Sequence, residues 1–302
     1  MKEFIYGGYW SSLAIPSIIF VSSVVLKIPL TWDCLLISYL GYHALRMYNR
    51  YREFKADVIT NPERSAYLRR YYRFLPIMIV SFSITTIFLF IFFSRIDGLA
   101  MALLMAVFGF LYTDFFKKRI KVPGFKAIYV AFWWSLLPLF VSIYYNNFPI
   151  NSATIFFMSF IFSRLLINVV FFDIKDVEAD RKEGVITIPV AYGIPKTLKI
   201  LWFLNVLSLL LIALGILLHL FDLWNLMFFF LLPYTYYFLK KGYEKTKEDL
   251  FLYYVVVDGE QIFLWPLLIL PLTIAHWERW VNSLNQRLVK FLVFTTYSNS
   301  RA

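Results

Sequence analysis

The sequence predicts an all-α, polytopic membrane protein, and three observations carry that expectation. Of its 302 residues 60% are apolar and 21% aromatic, with a mean hydropathy of +0.66, outside the range of soluble globular domains. Only 16% are charged, and they fall in short blocks between apolar stretches of about 20 residues, the length at which a helix spans a bilayer. Those stretches are continuously apolar, whereas barrel strands would alternate over about ten residues.

Nine spans follow in order. Trp10 to Val25 and Thr31 to Tyr48 are joined by a short loop whose only basic residue is Lys27, and the second runs into a loop, Arg46 to Arg73, with 8 Lys and Arg. Leu75 to Phe93 and Leu99 to Phe116 are separated by Arg95 and followed by 5 basic residues in Lys117 to Lys126. Phe125 to Tyr145 and Ser152 to Phe172 precede 5 more in Asp173 to Lys199, and Thr197 to Leu220 and Leu223 to Leu239 precede 4 in Lys240 to Lys247. Phe251 to Ile274 is the ninth.

These alternate loops hold 22 of the 30 basic residues, so they and the N-terminus are expected in the cytosol, in an inner or plasma membrane. An odd number of spans puts the C-terminus outside, against the drift of Arg279, Arg287, Lys290 and Arg301 in the tail. Trp277, Trp280, Val281, Leu284, Leu288 and Leu292 suggest an interfacial amphipathic helix there. The first span is too long for a cleavable signal and lacks a small-residue cleavage pattern, so a retained start is expected. The +11 charge marks the cytosolic face and anionic headgroups rather than nucleic acid. Cys34 stands alone, which excludes an internal disulfide framework and a cysteine metal site. Residues 1–302 read as one transmembrane domain, with 276–302 as the interfacial tail.

Two polar stretches carry chemistry. After the sixth span come Asp173, Asp176 and Asp180; if the helix continues, they sit at i, i+3 and i+7 on one face. Like charges so placed call for a cation, and hard oxygen donors suit Mg²⁺. The same residues also read as a solvated acidic loop tied to Lys175, Arg181 and Lys182. After the second span Asn49, Glu53 and Asp57 follow at i, i+4 and i+8 among Arg50, Arg52 and Lys55, which also fit an ordinary positive-inside loop. Arg164 and Asn168, one turn apart in the sixth span, point toward the acidic cluster or serve helix packing, and Asp258 and Glu260 in the ninth pose the same choice. His43, His219 and His276 are scattered and are assigned no role.

From Tyr48 to Leu268 the sequence resembles the UbiA superfamily of intramembrane prenyltransferases. Its Asn-Asp-x-x-Asp-x-x-x-Asp signature aligns on Asn49, Arg50, Glu53 and Asp57, and its Asp-x-x-x-Asp signature on Asp173, Asp176, Asp180, Arg181, Lys182 and Gly184. Tyr112, Lys118, Arg119, Trp134 and Pro138 resemble a third element, and Asp258-Gly259 a fourth. Arg50 and Glu53 replace aspartates; glutamate still ligates a metal and arginine does not. Asn61-Pro62-Glu63-Arg64 stands where a Pro-x-x-Gly segment is usual, which marks a divergent branch.

The resemblance implies a single bundle around a cytosol-facing, lipid-lined cavity, and Mg²⁺-dependent transfer of a prenyl group from its diphosphate to an aromatic or other small acceptor. Asp176, Asp180 and Asp57 would be catalytic, with Asp173 and Glu53 joining them as metal ligands. Lys118, Arg119, Arg181, Lys182, Asn49 and Tyr112 would bind the diphosphate, and Arg50, Arg164, Asn168 and Asp258 are further candidates. The same resemblance allows a terpene cyclase or diphosphate lyase, phosphoribosyl transfer to a polyprenyl phosphate, or a non-catalytic lipid-binding protein. Beyond the bilayer and the small-molecule substrates, protein partners and oligomeric state are not indicated.

Overall fold

In the computed structural model, which describes residues 2–60, 62–116, 119–146, 150–244, 249 and 251–275, the regular structure is helical throughout the described residues. Among the described residues six helical stretches are long and apolar enough to cross a membrane: Leu75–Phe93, Ile96–Phe116, Phe125–Tyr144, Ser152–Lys175, Ile194–Leu217 and Phe251–Leu270. They match six of the nine expected spans, and the other three differ for local reasons.

The first is the apolar helical run Tyr9–Val25, shorter than the six and made of α2 (Tyr9–Ser12) and α3 (Ala14–Val25) with an interruption at Leu13; α1 (Lys2–Gly7) precedes it, set off by Gly8 at a left-handed φ of 85°. The second is part of α4 (Trp32–Thr60), which runs on through the charged segment instead of ending near Tyr48. At 1.5 Å per residue its 29 residues exceed the roughly 30 Å apolar thickness, so the charged half projects past the hydrocarbon. Asn49, Arg50, Glu53 and Asp57 therefore lie on a helix, not a loop. The eighth is a 3₁₀ stretch, Leu223–Phe230, followed by the helix Leu231–Glu244, whose first turn holds Pro233 and so lacks one backbone donor.

The remaining elements are α5 (Pro62–Arg69), α6 (Leu75–Phe93), α7 (Ile96–Leu111), α8 (Phe125–Ser135), α9 (Leu137–Tyr144), α10 (Ser152–Lys175), α11 (Val177–Glu183), α12 (Ile188–Tyr192), α13 (Ile194–Leu217), α14 (Leu231–Glu244) and α15 (Trp265–Ala275). Pro138 in the first turn of α9 breaks the fifth span at Leu136. α7 ends in a π-helical turn, Tyr112–Phe116, and π-helical stretches Phe251–Val257 and Glu260–Leu264 flank Asp258-Gly259; such turns re-aim side chains at functional sites.

Helix α10 runs through the middle, burying Phe157, Phe160, Ile161, Val170 and Phe171 against α8, α13 and α14. α3 packs on α15, so the first and last parts of the bundle meet. α6 and α7 keep Ile77, Ile84, Ile91 and Leu103 on the outer surface, an apolar face suited to lipid.

Candidate active site

Asn151 caps α10, accepting from Thr154 N at 2.9 Å, and the helix runs unbroken to Lys175. It does not continue as expected. Asp176 leaves helical geometry (φ −97°, ψ 6°), and α11 starts in a new direction and ends at Gly184 in the left-handed region, φ 71°. Asp173, Asp176 and Asp180 therefore do not share one helical face. Asp173 closes α10, Asp176 is the corner, and Asp180 sits on α11, where it meets Asp173 across a shared cation.

Between them stands a cation that the sequence did not single out. Lys126 Nζ lies 2.7 Å from Asp173 Oδ1 and 3.5 Å from Asp180 Oδ2, and the Asp176 charge also acts on it. The backbone fixes this placement. Gly124, at φ 76°, donates its N–H to Ile186 O at 3.0 Å, tying the start of α8 to the segment that follows α11. Lys126 is in the first turn of α8, directly beside that tie.

A second wall comes from α4 and the end of α7. Asn49 Oδ1 accepts from Thr113 Oγ1 at 2.8 Å, while Asp114 accepts from Tyr48 Oη at 2.8 Å and pairs with Arg52 at 2.7 Å, so the middle of α4 is locked to the end of α7. The charges of Glu53, Lys126, Asp173 and Asp180 all act on the Tyr112 hydroxyl, which brings the α4 face and the acidic cluster to one place. Arg46, one turn before Asn49, shares that face.

Two adjoining cavities open beside this second wall. A polar-mouthed one of about 150 Å³ is lined by Arg46, Asn49, Tyr112, Tyr129, Trp133 and Trp134, and an apolar one of about 240 Å³ by residues including Ile19, Ile37, Phe90, Leu99, Ala102 and Phe140. They share Tyr42, Leu45, Met105 and Trp134. Aromatic faces crowd the junction: Tyr112 stacks on Tyr129 at 5.2 Å, Phe108 on Trp133 at 4.1 Å, and Tyr42 meets Trp134 edge-on at 4.8 Å. The arrangement is amphipathic end to end, a charged mouth and an apolar cleft of the kind that takes a ligand with a charged head and a hydrocarbon tail.

Other predicted residues lie elsewhere. Arg50 faces the N-terminal segment rather than the cluster: it donates to the Tyr6 carbonyl, and its guanidinium packs where a side chain on Gly8 would be. Arg164 does not reach the acids. It is buried against Glu260, donating to both carboxylate oxygens, and also to Asn205 (2.5 Å), Thr235 (2.6 Å) and Ser208 (3.4 Å), which binds α10, α13, α14 and the final span together. Asn168 turns to Asp258 Oδ1 at 3.4 Å, and the charges of Arg46 and Lys175 act on that carboxylate, placing Asp258 on the rim of the charged region. Arg119 is exposed, 5.1 Å over the Phe115 ring, and Arg181 and Lys182 are exposed on α11. Lys118, the Asp57 side chain and the 276–302 tail lie outside the described residues.

The UbiA prenyltransferase family model matches residues 9–267. The chain belongs to that family. It is thus a prenyltransferase-type membrane protein, and the family's fold is seen again in solved structures. A UbiA homologue from Archaeoglobus fulgidus bound to DMAPP and Mg²⁺ superimposes with a TM-score of 0.62 at 14% identity, covering 86% of this chain and 96% of that one. A UbiA homologue from Aeropyrum pernix K1 gives 0.62 at 13%, covering 84% and 97%. Digeranylgeranylglyceryl phosphate synthase gives 0.50 at 17%, covering 91% and 97%. No curated relative matches the chain in sequence.

Proposed function

We propose that this member of the UbiA family is a Mg²⁺-dependent prenyltransferase that moves a prenyl group from a prenyl diphosphate to an aromatic or other small acceptor and releases diphosphate. The observation that carries the reading is the charged mouth opening beside an apolar cavity. In this account the bundle has nine spans, and the mouth faces the cytosol of an inner or plasma membrane, with the N-terminus on the same side.

The donor chemistry suits Mg²⁺. Asp173 Oδ2 is buried and accepts no hydrogen bond among the described residues, Asp176 is partly open, and the charge of Glu53 acts on Tyr112 from α4. Among the described residues no three acidic or imidazole groups form a closed cage, which Mg²⁺ does not need: it typically takes one or two carboxylates and completes its shell with water and substrate phosphate. Asp176, Asp180, Glu53 and Asp57 would hold it, with Asp173 anchoring the cluster. When bound, the ion neutralises the diphosphate and improves it as a leaving group.

The chain's own groups supply the rest. Arg46, whose Nε is buried and has no hydrogen-bond partner among the described residues, and Lys175 are the inner cations for diphosphate oxygens, with Asn49 and Tyr112 as neutral donors. Lys118, Arg119, Arg181 and Lys182 form an outer basic ring that draws the anion in. As the C–O bond breaks, positive charge develops on the allylic carbon beside Tyr42, Tyr129, Trp133 and Trp134, whose ring faces stabilise it while the apolar walls exclude water. The acceptor then attacks that carbon and loses its proton to solvent or diphosphate.

The test is diphosphate release by purified protein from a panel of prenyl diphosphates, with and without acceptors. Release that requires an acceptor is expected. Release without one would make the protein a cyclase or lyase, and none would refute the reading.

A further inference from the structure

We propose that Lys126 is a built-in counter-ion of the acidic cluster, its ammonium holding the position between Asp173 and Asp180 that a divalent cation would otherwise take. The proposal deepens the prenyltransferase reading and rests on it only for the identity of the anion that the cluster serves.

Three observations converge. The first is contact: Nζ sits 2.7 Å from one carboxylate and 3.5 Å from the other, with the Lys126, Asp173 and Asp180 side chains only 19%, 2% and 9% exposed. Two carboxylates buried side by side repel unless a cation lies between them, and a buried lysine is equally costly without an anion, so each group answers the other's need. The second is construction. The Gly124 to Ile186 hydrogen bond pins the start of α8, and a Cβ on Gly124 would press into Ile188, so the lysine is presented from a fixed backbone.

The third is the donor set. No three carboxylates close on a common point among the described residues, and Asp173, the deepest of them, spends one oxygen on Lys126. A divalent ion placed between Asp173 and Asp180 would meet the ammonium at contact distance and be repelled. Metal is thereby directed to the outer carboxylates, Asp176, Asp180 and Glu53. An ammonium has three donors, so with two facing the carboxylates the third is left for an oxygen of the diphosphate. Lys126 thus acts as a positioning residue for the cluster and a direct ligand for the substrate anion.

The experiment uses the full chain in detergent, without substrate, and counts bound Mn²⁺ by electron paramagnetic resonance. Lys126→Met is expected to bind one further Mn²⁺ per chain, or the same number about tenfold more tightly, because the repelling charge is gone. Lys126→Arg, which keeps the charge, is expected to match the parent protein. Mn²⁺ is also expected to raise the melting temperature of Lys126→Met more than that of the parent. Should the single variant not fold, Lys126→Met with Asp173→Asn removes one charge of each sign and is expected to bind no more Mn²⁺ than the parent. Equal count and affinity in the parent and Lys126→Met would overturn the proposal, as would an extra ion in the double variant. None of these readouts involves turnover, so the assignment stands or falls apart from diphosphate release.

Discussion

Replacing Arg164 with methionine separates a structural arginine from a catalytic one. Its guanidinium is fully buried and bridges four elements through Glu260, Asn205, Ser208 and Thr235. Truncation leaves Glu260, whose side chain is 5% exposed, with Thr235 and Trp265 as its donors and no cation among the described residues. Removing one partner of a buried ion pair costs about 3–5 kcal/mol. The neutral hydrogen bonds lost with it add only about 0.6 kcal/mol each at the level typical inside membranes. We therefore expect Arg164→Met to lower the unfolding free energy by about 4 kcal/mol, and Arg164→Met with Glu260→Gln to recover part of that because the stranded carboxylate is gone. Reversible unfolding in mixed micelles measures both. Diphosphate release per folded molecule should be unchanged in Arg164→Met. A loss of stability below about 1 kcal/mol, the worth of an exposed pair, would refute the structural assignment. A normal fold with lost turnover would return Arg164 to the active site.

Arg50→Met should loosen the N-terminal segment, since it removes the donor to the Tyr6 carbonyl; an unfolding free energy lower by about 1–3 kcal/mol and faster proteolysis before Tyr9 are expected, with Mn²⁺ binding unchanged. Ala102→Phe places a ring in the apolar cavity and should shift the preference among prenyl diphosphates toward shorter chains, read as kcat/KM across the panel; an unaltered ranking would mean that the tail lies elsewhere.

Much of this was legible in the sequence, because hydropathy over about 20 residues reports the bilayer directly. Six of the nine expected spans are single long stretches or nearly so. The others differ locally: the first is a shorter apolar run, Tyr9–Val25, interrupted at Leu13, the eighth opens as a 3₁₀ stretch ahead of Pro233, and the second carries a charged segment past the hydrocarbon. The acidic trio was visible as a set but not as a shape, since the bend at Asp176 is held by long-range ties, Lys126 to Asp180 and Gly124 to Ile186, that no local pattern announces. Arg46 could have been read from its i, i+3 spacing to Asn49, but a count of cytosolic basic residues absorbed it. Lys126 had no local signal at all; only the tie between Gly124 and Ile186 brings it to Asp173, 47 positions along the chain. Arg50, judged by its place in a motif, is turned the other way because successive residues on a helix point about 100° apart, so it leaves the face that Arg46, Asn49 and Glu53 share.

The most direct test of the central claim is Mg²⁺-dependent release of diphosphate by the purified protein from prenyl diphosphates, measured beside EDTA-treated protein and the Asp176→Asn and Asp180→Asn variants. The account predicts acceptor-dependent release that EDTA abolishes and that each variant lowers by at least about 100-fold, the upper end of what losing even an outer-shell metal partner costs. Asp176→Asn should keep the parent's melting temperature within a few degrees, because its partly exposed carboxylate sits at the corner between two helices, whereas Asp180→Asn removes a buried partner of Lys126 and is expected to lower it. Release that survives EDTA, or that both folded variants retain, would contradict the assignment of this cluster as the diphosphate site.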